Sequence, residues 1–188
     1  TRFNVAAFGV LGYELDFGEL TPQERQVIKK QIAFYKAHRN TFQYGRFSRY
    51  FPKRGQRESW QAAGDGEILA SLYNLTYHAI PSRDTLRVLE AKAGKRYRVQ
   101  SVEQAQRIGS FGGLIKHVLP VKLKADGGIV RFADRHFAMT DGQERYQVSG
   151  EALRSGVPLA LQYSGTGYTP ELRILGDWGS SLYLITEE

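Results

Sequence analysis

The carboxylates placed most suggestively for acid–base chemistry are Glu14 and Asp16, one residue apart in the run Gly12-Tyr13-Glu14-Leu15-Asp16. On an extended backbone such residues share a face and stand ~6.6 Å apart, a spacing that invites the two-carboxylate chemistry of a glycosidase. Direction argues against it. The two acids of a glycosidase flank the scissile bond from opposite sides, and neighbours on one strand reach from the same side. A polar face at a domain seam is the better reading of this pair. Asp65, Asp126, Asp141 and Asp177 each adjoin a glycine, which is turn chemistry before it is catalysis. A serine nucleophile would want a Gly-x-Ser-x-Gly elbow, and Gly176-Asp177-Trp178-Gly179-Ser180-Ser181 does not supply one. Gly109-Ser110-Phe111-Gly112-Gly113 lacks the Lys-Ser/Thr of a phosphate loop and reads as a turn. The histidines His38, His78, His117 and His136 show no metal-ligand spacing. The chain has no cysteine, which removes disulfides and thiolate ligands. No catalytic, cofactor-binding or metal residue is therefore assigned. Aromatic rings could stack on a sugar, and Trp60, Trp178, Tyr163 and Tyr168 are the candidates. Core packing is the commoner use of such rings. Trp60, Trp178 and Tyr168 are carried forward as candidate carbohydrate contacts.

The net charge of +7 raises the question of nucleic acid. The basic residues are dispersed, however. Their densest clusters, Lys53-Arg54-Gly55-Gln56-Arg57 and Lys95-Arg96-Tyr97-Arg98, read as a loop and as a strand with Arg96 and Arg98 on its solvated face. No nucleic-acid partner is expected. No stretch reaches the ~18 consecutive apolar residues of a membrane helix, so no membrane partner is expected either. The start, Thr1-Arg2-Phe3-Asn4-Val5, carries no signal-peptide pattern and reads as the middle of something longer. The lack of cysteine fits a reducing cytoplasm.

Which elements would position these residues? Thr21-Pro22-Gln23-Glu24 is a capping box with proline at the first helical position. Val27, Ile28, Ile32 and Tyr35 follow at helical spacing. A helix is expected over roughly 22–40. Before it, Phe8–Phe17 reads as extended, with Tyr13, Leu15 and Phe17 on one face. One strand and one helix cannot cover their own apolar faces. The helical stripe is expected to pack against the rest of the chain or against a second copy, which would make a homo-oligomer.

Beyond residue 46 the period becomes two, with turn signals every ten or so residues. Ser59–Ala63 and Glu67–Tyr77 flank Gly64-Asp65-Gly66 as a hairpin. Thr85–Leu89 and Tyr97–Val99 flank Ala93-Gly94 as a second. His117–Lys124, Ile129–Phe132, Arg145–Val148, Leu172–Leu175 and Ser181–Ile185 read as strands, with a turn at Asp126-Gly127-Gly128. The fold class is therefore mainly β: an antiparallel β-sandwich over 46–188, preceded over 1–45 by one strand and one long α-helix.

The words themselves carry a further signal. Thr1-Arg2-Phe3, Gly12-Tyr13-Glu14-Leu15-Asp16, Leu20-Thr21 and Ile32-Ala33-Phe34-Tyr35-Lys36, then Gln43-Tyr44-Gly45, resemble the tail of the catalytic barrel in α-galactosidases of glycoside hydrolase family 36. Phe111-Gly112-Gly113-Leu114-Ile115, Val118-Leu119-Pro120, Ser149-Gly150-Glu151-Ala152-Leu153 with Gly156, Gly165-Thr166-Gly167-Tyr168, and the closing Gly176-Asp177-Trp178-Gly179-Ser180-Ser181-Leu182-Tyr183 continue it in order. The resemblance implies that 1–45 are the last barrel strand and helix, that 46–188 are the C-terminal sandwich bracing that barrel, and that the partner is the upstream barrel of the same polypeptide. It also implies a parent that removes terminal α-galactose from substrates such as melibiose or raffinose by a retaining mechanism. The family's two catalytic aspartates stand in "KWDxN" and "SDxxDAxxR" motifs that nothing here matches, so no activity is expected of the 188 residues alone. A carbohydrate-binding module with its own aromatic platform is the alternative.

Overall fold

The capping box and the Asp65-Gly66 turn are the two places where local sequence dictates the backbone most directly. In the computed structural model, which describes residues 1–76, 83–106, 127–136, 139–140, 143–162 and 172–188, both form. The Thr21 hydroxyl accepts from the Glu24 amide and the Glu24 carboxylate accepts from the Thr21 amide at 2.9 Å, opening helix α2 (Pro22–Ala37). Asp65 and Gly66 both take positive φ (50° and 75°) and join strand β2 (Arg57–Gly64) to β3 (Glu67–Asn74). Such a two-residue turn matches the natural twist of a hairpin.

Around that hairpin runs a six-stranded antiparallel sheet. Its order is β1 (Arg46–Lys53), β2, β3, β10 (Gly179–Glu187), β5 (Arg96–Ser101), β8 (Arg145–Ser149). Short pairs flank it: β4 (Thr85–Leu86) with β9 (Val157–Pro158), and β6 (Ala105–Gln106) with β7 (Met139–Thr140). Alternate residues of the central strands face opposite ways. Ile68, Ala70, Leu72, Tyr97, Val99, Tyr183 and Ile185 pack under an outer layer built from Leu86, Val88, Ala91, Leu159 and Leu153 of helix α5 (Gly150–Ser155). Leu69 and Leu182 face the other way, onto Phe3 of helix α1 (Arg2–Ala6), Tyr35 of α2 and Phe42 of helix α3 (Arg39–Tyr44). The mainly antiparallel, sandwich-like reading holds, with helices forming one of its covers.

Several expected elements are corrected. Phe8–Phe17 forms no strand, because no described strand stands beside it to pair with. It runs irregularly along α2, where the Tyr13 hydroxyl donates to Gln31 Oε1 at 2.7 Å. The single long helix breaks at His38 (φ −112°, ψ 15°) and restarts as α3. Ala93-Gly94 does turn, with Gly94 at φ 73°, yet β4 and β5 are not a hairpin. β4 pairs with β9, and β5 with β10 and β8. Ile129–Phe132 belongs to helix α4 (Gly128–His136), beside α2. Short apolar runs do not distinguish helix from strand by period alone. Leu172–Leu175 contributes one isolated bridge, Gln162 to Arg173. The expected strand at 117–124 and turn at 109–113 lie outside the described residues, as do Tyr77, His78 and Asp141.

Part of the α2 stripe does pack on the sheet. Tyr35 is buried there, while Val27, Ile28 and Ile32 are half-buried.

The outer layer sits close. A Cβ on Gly150 would overlap the Lys92 carbonyl oxygen and crowd the Tyr97 ring, whereas nothing stands within 4 Å of one on Gly12. Gly150→Ala is expected to cost about 1–3 kcal/mol, as overpacked cores do, and Gly12→Ala less than about 0.5 kcal/mol. Urea midpoints of the two variants check this; equal midpoints would refute the packing.

Candidate functional site

Each candidate ring has a different fate. Trp60 projects from β2 into the seam between the helices and the sheet. Its ring meets Phe8 (6.2 Å between centroids), Phe47 (6.1 Å) and Tyr73 (5.0 Å) edge-on. Its Nε1 donates to Glu58 Oε2 at 3.2 Å, and the Arg49 guanidinium lies 5.7 Å from its centroid. Such edge-to-face packing is what packed aromatics prefer, so the half-buried Trp60 is committed to the seam. Trp178 is the opposite case. It stands in the turn before β10, 69% exposed, with φ at 58°. A bulky side chain in left-handed backbone is costly and persists only when its surroundings impose it. Here the Thr1 hydroxyl donates to the Trp178 carbonyl at 2.6 Å. Tyr163 and Tyr168 lie outside the described residues. The structure does not bring Trp60 and Trp178 together as one platform.

Glu14 and Asp16 are both exposed, and Asp16 Oδ1 accepts from the Gly18 amide at 2.7 Å, a local turn. Among the described residues no group of three or more His, Cys, Asp or Glu side chains is arranged to hold a metal ion. No described helix is long and apolar enough to cross a membrane.

A second constellation was not singled out from the sequence. Arg57 from the start of β2, Asp84 before β4, Glu144 before β8 and Arg173 converge beneath the outer layer, each under a tenth exposed. Asp84 is paired with Arg57 and accepts from Arg173 Nη2 at 2.7 Å and from Gln162 Nε2. Arg173 Nε donates to the Ala160 carbonyl at 2.9 Å and lies 3.9 Å from Glu144 Oε2. Glu144 accepts from the Tyr183 hydroxyl at 2.7 Å, from the Ala160 amide at 2.6 Å and from the Tyr146 hydroxyl. Burial, with repulsion from Arg173, lowers the pKa of Arg57. Burial first, and then the Glu144 carboxylate, push the Tyr146 and Tyr183 hydroxyls above the ordinary phenol value.

Arg57 therefore corrects the reading of 53–57 as a solvated loop: its cation is turned inward. The signals that could have found the cluster were there. Arg173 stands inside Leu172-Arg173-Ile174-Leu175, and an arginine in an apolar run needs a buried partner. Chemically the arrangement is a tie rather than a catalytic centre. Both carboxylates are neutralised and bonded, and neither is open to a substrate.

Comparison with known proteins gives these features a context. Residues 1–45 match the Melibiase family model. The chain is 33% identical over 116 residues to α-galactosidase AgaA of Geobacillus stearothermophilus, a match covering 60% of this chain and 15% of that protein. It is 39% identical over 85 residues to α-galactosidase 1 of Pediococcus pentosaceus, covering 44% and 12%. Its fold is similar to the crystal structure of the glycoside hydrolase family 36 enzyme AgaA in complex with raffinose (TM-score 0.63, 22% identity, all of this chain and 19% of that one). It is similar to the same degree to an α-galactosidase of Lactobacillus brevis (TM-score 0.63, 24% identity, 20% of that chain). The chain thus spans about a fifth or less of its relatives' length.

Two outcomes follow from the buried cluster. Arg173→Met leaves the buried Glu144 carboxylate without a cation and Asp84 with Arg57 alone, and is expected to cost about 3–5 kcal/mol. Lys30→Met, which removes the exposed Lys30–Glu103 pair, is expected to cost under about 1 kcal/mol. Chemical denaturation of both variants checks the contrast, and comparable losses would refute it. The raised tyrosines give a pH dependence with a definite sign. The folded chain holds protons that the unfolded chain releases from pH 10 upward. Their stabilising contribution is therefore full below pH 10, the ordinary value, and is lost as pH rises beyond it. Denaturation midpoints measured between neutral and strongly alkaline pH test this; a midpoint that rose above pH 10 would contradict it.

Proposed function

We propose that this chain, related in sequence and in fold to the α-galactosidases of glycoside hydrolase family 36, is the part of such an enzyme that closes the catalytic barrel and braces it. Residues 1–45 supply a helical end of that barrel and 46–188 the supporting sandwich. The parent removes terminal α-galactose from substrates such as melibiose or raffinose by a retaining mechanism, with its catalytic carboxyls elsewhere in the polypeptide. The cysteine-free chain is assigned to the bacterial cytoplasm. The observation that carries this reading is the Melibiase match over 1–45 joined to α-galactosidase relatives of which the chain spans 15% or less.

The side chains support an inactive brace. Retaining hydrolysis needs two carboxyls ~5 Å apart across a sugar. Glu14 and Asp16 sit side by side on the surface, and Asp84 and Glu144 are locked onto arginines and tyrosines. The apolar side chains of Val10, Leu15 and Phe17 are exposed, at 87%, 42% and 51%. They fit a surface meant to meet the rest of a barrel.

Trp178 gives one specific observation for a second reading, a carbohydrate-binding module, since its ring is exposed and its backbone is held in a costly conformation. Two measurements separate the readings. The purified chain, free of host enzyme, is expected to release no p-nitrophenol from p-nitrophenyl α-galactoside. Titration with raffinose is expected to leave tryptophan fluorescence unchanged. Release of p-nitrophenol would overturn the brace. A saturable change lost in Trp178→Phe would establish the binding module.

A further inference from the structure

We infer that a single water molecule is an integral part of the buried charge cluster, bound between Arg173 and Ser181. Eight residues, Ser101, Gln104, Glu144, Arg173, Ser181 and Tyr183 among them, line a cavity of about 10 Å³, which is about the room one water needs.

Two of these residues carry buried polar atoms that no protein group satisfies, Arg173 Nη1 and Ser181 Oγ. The other guanidinium nitrogens of Arg173 are engaged, Nε with the Ala160 carbonyl and Nη2 with Asp84. The third is a charged donor, in a side chain 99% withdrawn from solvent (1% exposed), and an unanswered donor there is strongly disfavoured. That both orphans belong to lining residues of one cavity is what makes it a site.

The choice between water and a small anion follows from charge. Arg57 and Arg173 are balanced by Asp84 and Glu144. Glu144 is among the residues that line the cavity, and its negative charge disfavours chloride there. A neutral molecule able both to accept from Arg173 and to exchange a hydrogen bond with Ser181 meets every requirement. It ties β10, through Ser181, to the arginine that holds Asp84 under the outer layer. The water is structural, and the inference stands whether or not the chain braces an α-galactosidase.

The test is a high-resolution crystal structure of the 188-residue chain grown with sodium bromide. A solvent peak within hydrogen-bonding distance of both Arg173 Nη1 and Ser181 Oγ, with no anomalous signal, is the expected result. An anomalous peak there would make the site an anion site and overturn the inference. So would a guanidinium satisfied by a protein carbonyl with no solvent peak. Ser181→Val, which fills the cavity with methyl groups, is expected to abolish the peak. Should that variant fail to fold, oxygen-17 relaxation dispersion on the wild-type chain decides: a long-lived internal water supports the site, and none overturns it.

Discussion

Strands β3 and β10 are buried on both faces, and the rest of the molecule answers that constraint. Seven of the eight residues of β3 are buried, as are Ser180, Ser181, Leu182, Tyr183 and Ile185 of β10. A sheet wetted on one side would alternate apolar and polar residues; this pair does not, so each face needs a cover. Leucines and valines of the outer layer supply one, and the aromatic residues of α1, α2 and α3 supply the other. Removing either would expose a continuous apolar surface of the kind that drives association.

The charge cluster lies under the first cover for a related reason. Among the described residues the outer layer is made of the short β4–β9 pair, helix α5 and loops. Buried ion pairs are poor sources of net stability against an apolar alternative, yet costly to break singly. They favour one arrangement over others. Asp84 enters from the loop before β4, Arg173 from the segment before β10, Glu144 from the approach to β8 and Arg57 from β2. A slip of any one of these segments would strand a charge. The tyrosines Tyr146 and Tyr183 complete the pattern by bringing hydroxyl donors to Glu144 from the sheet itself.

What could be read in advance divides along the line between local and non-local causes. The Thr21–Glu24 cap, the Asp65-Gly66 turn and the strands around 59–63, 145–148 and 181–185 were legible because their signals lie within a few residues. Partnership was not. Gly94 takes the positive φ that its turn suggested, but the amide of Gly94 binds Glu151 rather than closing a hairpin. The extended look of Tyr13, Leu15 and Phe17 predicted a strand that needs a neighbour, and among the described residues there is none. Ile129–Phe132 misled through the ambiguity of a short apolar run. Of the candidate rings, Trp60 and Trp178 could not be told apart from composition, since burial depends on what packs across the seam. The charge cluster was hidden for the same reason: its four members are spread from residue 57 to 173.

The seam also bears on what residues 1–45 are. Similarity to the Melibiase model stops at residue 45, yet packing does not. Phe3, Tyr35 and Phe42 share a core with Leu69 and Leu182. The Tyr73 hydroxyl donates to the Asn4 carbonyl at 2.7 Å, and Asn4 Nδ2 to Ser180 Oγ at 2.8 Å. Glu67 of β3 accepts from Thr41 at 2.7 Å and meets His38 at 2.8 Å. The end of the family-model match therefore falls in the middle of a physical unit. The helices and the sheet share one apolar cluster and these hydrogen bonds. The proposed brace would require this property: a shared core, not a linker, between residues 1–45 and the sheet. The side of this unit that bears Val10, Leu15 and Phe17 is then what such a brace would offer to the rest of a barrel.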